Sequence, residues 1–258
     1  MDKVEEYRRT LLSVQDWDEF LMAESALPGP RANLELIQAA ADLGDEALFV
    51  RYVNLPADSA PTNSPQVFLT LCGVVGLGRL LSEGGDGWLE DLRRLASDDR
   101  WRVREAVAMA LQRLGAKDMP QLLKAMQPWA EGSPLEQRAA AAALCEPRLL
   151  RTPAAALRVL KILDEITISH ARRKDPRNPD SRVLAKALSY CWSVAVVALP
   201  PAGKEAMQRW LESPDAAMRV IMKENLRKSR LARCDPEWVR HWRRKLGMDK
   251  GARLDRPH

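Results

Sequence analysis

Histidine and cysteine are scarce in this chain, and their placement excludes several chemistries. The three histidines of the 258 residues, His170, His241 and His258, are isolated, and no His, Cys or carboxylate spacing matches a metal site. The four cysteines, Cys72, Cys145, Cys191 and Cys234, form no Cys-x-x-Cys pair, so a reducing, cytoplasmic setting is expected, with each thiol a small core filler. Gly-x-Ser-x-Gly and Walker loops are also missing, which disfavours a serine, cysteine or metal hydrolase. Gly73, Gly76 and Gly78 lack the spacing of a dinucleotide fingerprint after a strand, and close helix packing is the expected reason for them. No cofactor and no metal are expected.

Strand signals are nearly absent too. Runs of Val, Ile and Thr are rare, and apolar residues do not alternate with polar ones, so the chain reads as all-α with no sheet. The first residues, MDKVEEYRRT, lack the apolar core of a signal peptide. The longest apolar runs, at 68–77 and 192–199, read as too short to span a membrane, and no membrane partner is expected.

What is present is a repeated helix pair. Residues 88–115 place Leu89, Leu92 and Leu95 on one short helix face and Val103, Val107, Ala110, Leu111 and Leu114 on another. Ser97, Asp98 and Asp99 lie between them as candidate caps. Neither helix buries its stripe alone, so the unit needs copies of itself on either side. Residues 121–145 and 203–226 repeat the plan, each with a second helix that opens on an arginine: Arg104, Arg138 and Arg219.

Elsewhere the periodicity predicts one or two helices over 1–27, with Trp17, Phe20 and Leu21 inward and Asp16 or Asp18 as a cap. Helices follow at 31–43, from 45 through 53, at 66–81, 153–169 and 183–199. Residues 54–65 and 170–182 read as exposed loops. Residues 1–248 are expected to form one array, with 249–258 a frayed tail.

Charge is divided unevenly. Residues 1–98 hold 8 Lys and Arg against 17 Asp and Glu, whereas residues 99–258 hold 32 against 18. That asymmetry points to an anionic partner on the C-terminal half. Arg172, Arg173 and Lys174 in the second loop, and Arg227, Lys228, Arg230 and Arg233 beside Trp238 and Trp242, are candidates to grip a phosphate backbone.

The pattern Asp-x-x-x-Val-Arg-x-Ala-x-x-x-Ala-Leu resembles the HEAT repeat. The resemblance implies a right-handed α-α superhelix, a solenoid whose arginine bonds an aspartate of a turn, with Asp98, Asp99 and Asp215 as candidates. It also implies a macromolecular partner, DNA or protein, on a concave face. More distantly the chain is similar to the HEAT-like-repeat DNA glycosylases of the AlkD type. Trp101 and Glu105 have the spacing of that family's aromatic residue and catalytic Asp. Gln137-Arg138-Ala139-Ala140 matches its Gln-Arg-Ala-Ala, and Lys186-Ala187-Leu188-Ser189-Tyr190 resembles its Lys-Ala-Ile-Gly-Trp, with Trp192 close by. The likeness implies that Glu105, Trp101 and Tyr190 act on an alkylated purine while Arg138 and Lys186 approach DNA. A non-enzymatic binding module is the first expectation, and alkylpurine excision the alternative.

Overall fold

A computed structural model describes residues 2–85, 87–173 and 177–249. Among these the chain is all-α, without a strand. The helices are α1 Lys3–Ser13, α2 Trp17–Ala23, α3 Leu34–Leu43, α4 Glu46–Val53, α5 Pro65–Ser82, α6 Trp88–Leu95, α7 Trp101–Lys117 and α8 Met119–Ala130. They continue as α9 Pro134–Leu144, α10 Pro153–Ala171, α11 Pro179–Ala198, α12 Pro200–Leu211, α13 Ala216–Leu226, α14 Ser229–Cys234 and α15 Pro236–Lys245. Most starts follow from local chemistry. Asp16, Asn33, Asp45, Thr152, Asn178 and Asp215 each accept a backbone N–H of the following turn. Ser133 and Glu136 close a reciprocal capping box at α9.

The chain divides into two compact units, Met1–Leu122 and Leu123–His258. The sequence reading treats 1–248 as one array, and no linker composition marks the division, which falls inside α8. The expected tail lies outside the described residues from position 250 onward.

In the first unit α5 is the centre. It is nearly buried along its length, and α2, α3, α4, α6 and α7 all pack on it. At 18 residues α5 is long and apolar enough to cross a membrane, which corrects the reading of 68–77 as too short a run. Here it is covered by the neighbouring helices: 72% of its residues are buried. Its glycines set how close they come. A Cβ at Gly76 would enter the Phe49 ring of α4, and one at Gly78 would stand 2.5 Å from the Cα and the carbonyl oxygen of Ala110 in α7. Charge ties the outer helices together. Asp42 of α3 pairs with both Arg8 of α1 and Arg113 of α7. Burial pushes its carboxyl up, but the hydrogen bonds from the two arginines outweigh this and hold it below its usual range.

In the second unit α11 has the central place. It packs on α9 and α13 to either side and on α10 and α12, which also touch each other. Its buried face includes Leu184, Leu188, Cys191 and Trp192.

Two of the turn arginines, Arg104 and Arg219, behave alike. Arg104 donates to the carbonyl of Asp98 at 2.5 Å, six residues back, and Arg219 donates to that of Ser213 at the same separation and distance. Two of the expected aspartates also have other partners. The Asp98 carboxylate holds the Arg100 guanidinium at 2.8 Å, and Asp215 caps α13. The N-cap of α7 is Arg100, with no side-chain capping bond, rather than Ser97, Asp98 or Asp99.

The Gly78 contact makes a prediction whose sign is decisive. Helix propensity alone would make Gly78→Ala stabilising by about 1 kcal/mol. Overpacking against backbone costs roughly 1–3 kcal/mol and does not relax as a flexible side chain would. Gly78→Ala is therefore expected to lower the denaturant midpoint, and a raised midpoint would show that α5 and α7 are not in close contact there.

Candidate functional site

Helix α11 presents two different faces. Asn178 accepts the Ser181 N–H at 3.0 Å, and Pro179 supplies the preset φ of a first helical residue. The helix therefore begins at Pro179, not at Val183, and Arg182 belongs to it rather than to a loop. Arg182, Lys186 and Tyr190 follow one another at four-residue spacing and are exposed. Tyr190 is 44% exposed, unusual for an aromatic residue in a helix so largely buried.

Asn225 of α13 anchors this region. It is fully buried, accepts the Ser193 N–H at 2.8 Å and donates to the Leu188 carbonyl at 2.9 Å. These bonds clamp α11 on either side of Tyr190. Arg230 of α14 lies over the Tyr190 ring, 4.3 Å from its centroid, and donates to the phenolic oxygen. Lys228, the residue before α14, stands 6.0 Å from the same centroid. An aromatic face among cations has the elements of a base-stacking platform.

Next to this stripe is an open cleft of about 420 Å³ between the end of α10, the first half of α11 and the start of α13. Arg173, Arg182 and Lys186 bring positive charge to it, against the carboxylate of Asp215, and Ala217, Val220 and Ile221 give it an apolar side. Arg173 is positioned by Gln137, whose carbonyl oxygen accepts from the guanidinium at 2.7 Å. Gln137 is itself fully buried and donates to the Ala130 carbonyl and to Ser169. One nitrogen of Arg173, Nη1, and Nδ1 of His170 are buried with no hydrogen-bond partner among the described residues. Burial, with Arg173 beside it, pushes the His170 imidazole below its ordinary range, and Asp215 opposes this only in part.

The residues expected from the sequence do not all come together. Tyr190, Lys186, Lys228 and Arg230 share the surface just described, and Arg173 lines the adjoining cleft. Trp192 does not join them. It is fully buried and its indole N–H donates to Thr167 at 3.0 Å, because it lies on the core face of α11. Arg138 is only 7% exposed, packed within α9, so it presents little surface to a ligand. Arg172 and Arg233 are exposed, Arg227 pairs with Glu224, and Lys174 lies outside the described residues. Trp101 and Glu105 are exposed at the start of α7 in the first unit, with Arg102 stacked 4.3 Å from the Trp101 centroid. Arg182 and Asn225 were not expected. The four-residue spacing of Arg182 from Lys186 is the signal that finds the first, whereas nothing local marks the second.

No family model matches the chain, and none of the curated proteins matches it. Two engineered proteins of known crystal structure are similar to it at 18% and 17% identity. The matches cover 94% and 87% of this chain and 98% and 97% of theirs, with a TM-score of 0.36 in each case. A likeness at that level transfers neither fold nor function.

The environment of His170 predicts a pH dependence of stability. Its folded pKa lies below the ordinary 6.5, so the unfolded chain takes up the proton first as pH falls. The stability that goes with the neutral imidazole is complete above that value and is lost below it. Urea midpoints of the wild type are expected to fall between about pH 7.5 and 5.5, and those of His170→Gln to fall less. Equal decreases in the two proteins would show that the imidazole is not buried.

Proposed function

We propose that this chain is a non-enzymatic, HEAT-like helical-repeat module whose second unit binds nucleic acid through the exposed side of α11 and the start of α14. The observation that carries this reading is Tyr190: an exposed aromatic ring flanked by Arg230 and Lys228, in line with Lys186 and Arg182. Phosphates are held by the cations and register the strand, while a π-face accepts any base. Residues 123–258 carry 27 Lys and Arg against 15 Asp and Glu, which adds a long-range attraction for a polyanion. Exposed arginines are common on helices and by themselves indicate little. An exposed tyrosine with two cations beside its ring is less readily explained by solubility.

Alkylpurine excision has no comparable support. That chemistry needs a carboxylate fixed at the sugar and an aromatic face open to the cationic base. Arg102 lies on the Trp101 ring as Arg230 lies on that of Tyr190, so this contact does not separate the two readings, and Glu105 is exposed. A binding module requires neither.

Binding measured by fluorescence anisotropy on labelled single-stranded and duplex DNA is expected to weaken steeply with salt, by about tenfold or more between roughly 50 and 200 mM, as counterions are released. Lys228→Glu combined with Arg230→Glu is expected to weaken binding to all sequences alike and to reduce the salt slope. No binding at low salt, or binding indifferent to salt, would overturn the proposal.

A further inference from the structure

We infer that the cleft between α10, α11 and α13 seats one unstacked nucleotide of a single strand, its phosphate at Arg173, Arg182 and Lys186 and its base over Ala217, Val220 and Ile221. This rests on the nucleic-acid reading and makes it more specific. Two chemistries meet in the cleft, and one occupant must satisfy both. A free phosphate would have no use for the apolar side, where Val220 is left 57% exposed. An apolar peptide would strand three cations. A nucleotide supplies an anion and a flat, largely apolar ring a few ångströms apart.

The charges agree with that occupant. Three cations line the cleft against one carboxylate, and the Asp215 carboxylate is turned to the Ala217 N–H at 2.8 Å as the cap of α13. Arg173 Nη1 lacks a partner among the described residues, and a buried donor without a partner gains from an acceptor brought to it. The direction of the strand follows from α11. Lys186 borders the cleft and Tyr190 lies one turn further on, so a base in the cleft leaves the neighbouring base positioned to stack on Tyr190. In a duplex the bases are paired and stacked and do not reach such a cleft without being turned out, at a cost. A single strand is therefore favoured.

The test fills the cleft without changing charge. Ala217 is exposed in the cleft wall, and Ala217→Trp occupies the space intended for the base. Wild type and variant are titrated onto a labelled oligothymidylate and onto a duplex of the same length, with thermal melting as the control for folding. The variant is expected to lose about tenfold in single-strand affinity, the scale of one stacked base, and to keep its duplex affinity within about twofold. Val220→Asn repeats the test without added bulk and is expected to lose single-strand affinity in the same sense. Unchanged single-strand affinity in both variants would overturn the cleft as a nucleotide site and leave the nucleic-acid reading standing. Absence of wild-type binding to both probes at low salt would overturn both.

Discussion

An apolar helix face has to be covered, and one central helix in each unit sets how the others pack. Helix α5 meets that constraint in the first unit, with glycines where α4 and α7 come closest. Helix α11 has the same place in the second unit but meets the constraint on one side only. Its core face carries Leu184, Leu188 and Trp192, and the opposite face is left to Arg182, Lys186 and Tyr190. The difference between a wholly covered central helix and a half-covered one is where a binding surface becomes available.

Several arginines of the first unit are bonded inside the fold, whereas several of the second face solvent. In the first, Arg100 bonds the Leu55 and Ala60 carbonyls, Arg102 bonds that of Gly29, and Arg79 bonds those of Ala41 and Gly44. These guanidiniums terminate loops and helix ends that would otherwise leave carbonyls unsatisfied. In the second unit, Arg172, Arg182 and Arg233 face solvent and Arg230 lies on an exposed ring. A guanidinium bonded inside the fold has its donors engaged, whereas one on the surface still attracts an anion. The unequal charge of the two halves of the sequence therefore has a structural counterpart.

Helix pairing was legible because its signals are local. Apolar periodicity, an Asp or Asn cap and a proline at the first turn place α3, α4, α5 and α7 within a few residues of where they are. The start of α11 was legible in principle from Asn178 and Pro179, but the basic run before them obscured it. Periodicity also assigns a residue to a helix face without saying what covers that face. Trp192 and Tyr190 are two positions apart, and only the packing of α10 and α13 decides that one is core and the other surface. Asn225 illustrates the same limit, since its role depends on carbonyl and amide groups of a helix more than thirty residues away. A cleft made by three helices has no signature in any one of them.

Hydrogen exchange on the whole chain, with and without a short oligothymidylate at low salt, tests most directly whether the second unit carries the binding surface. Slower exchange is expected over residues 179–190 and 216–234, where α11, α13 and α14 meet the cleft and Tyr190. Protection confined to the first unit, with those segments unchanged while the oligonucleotide is bound, would contradict it.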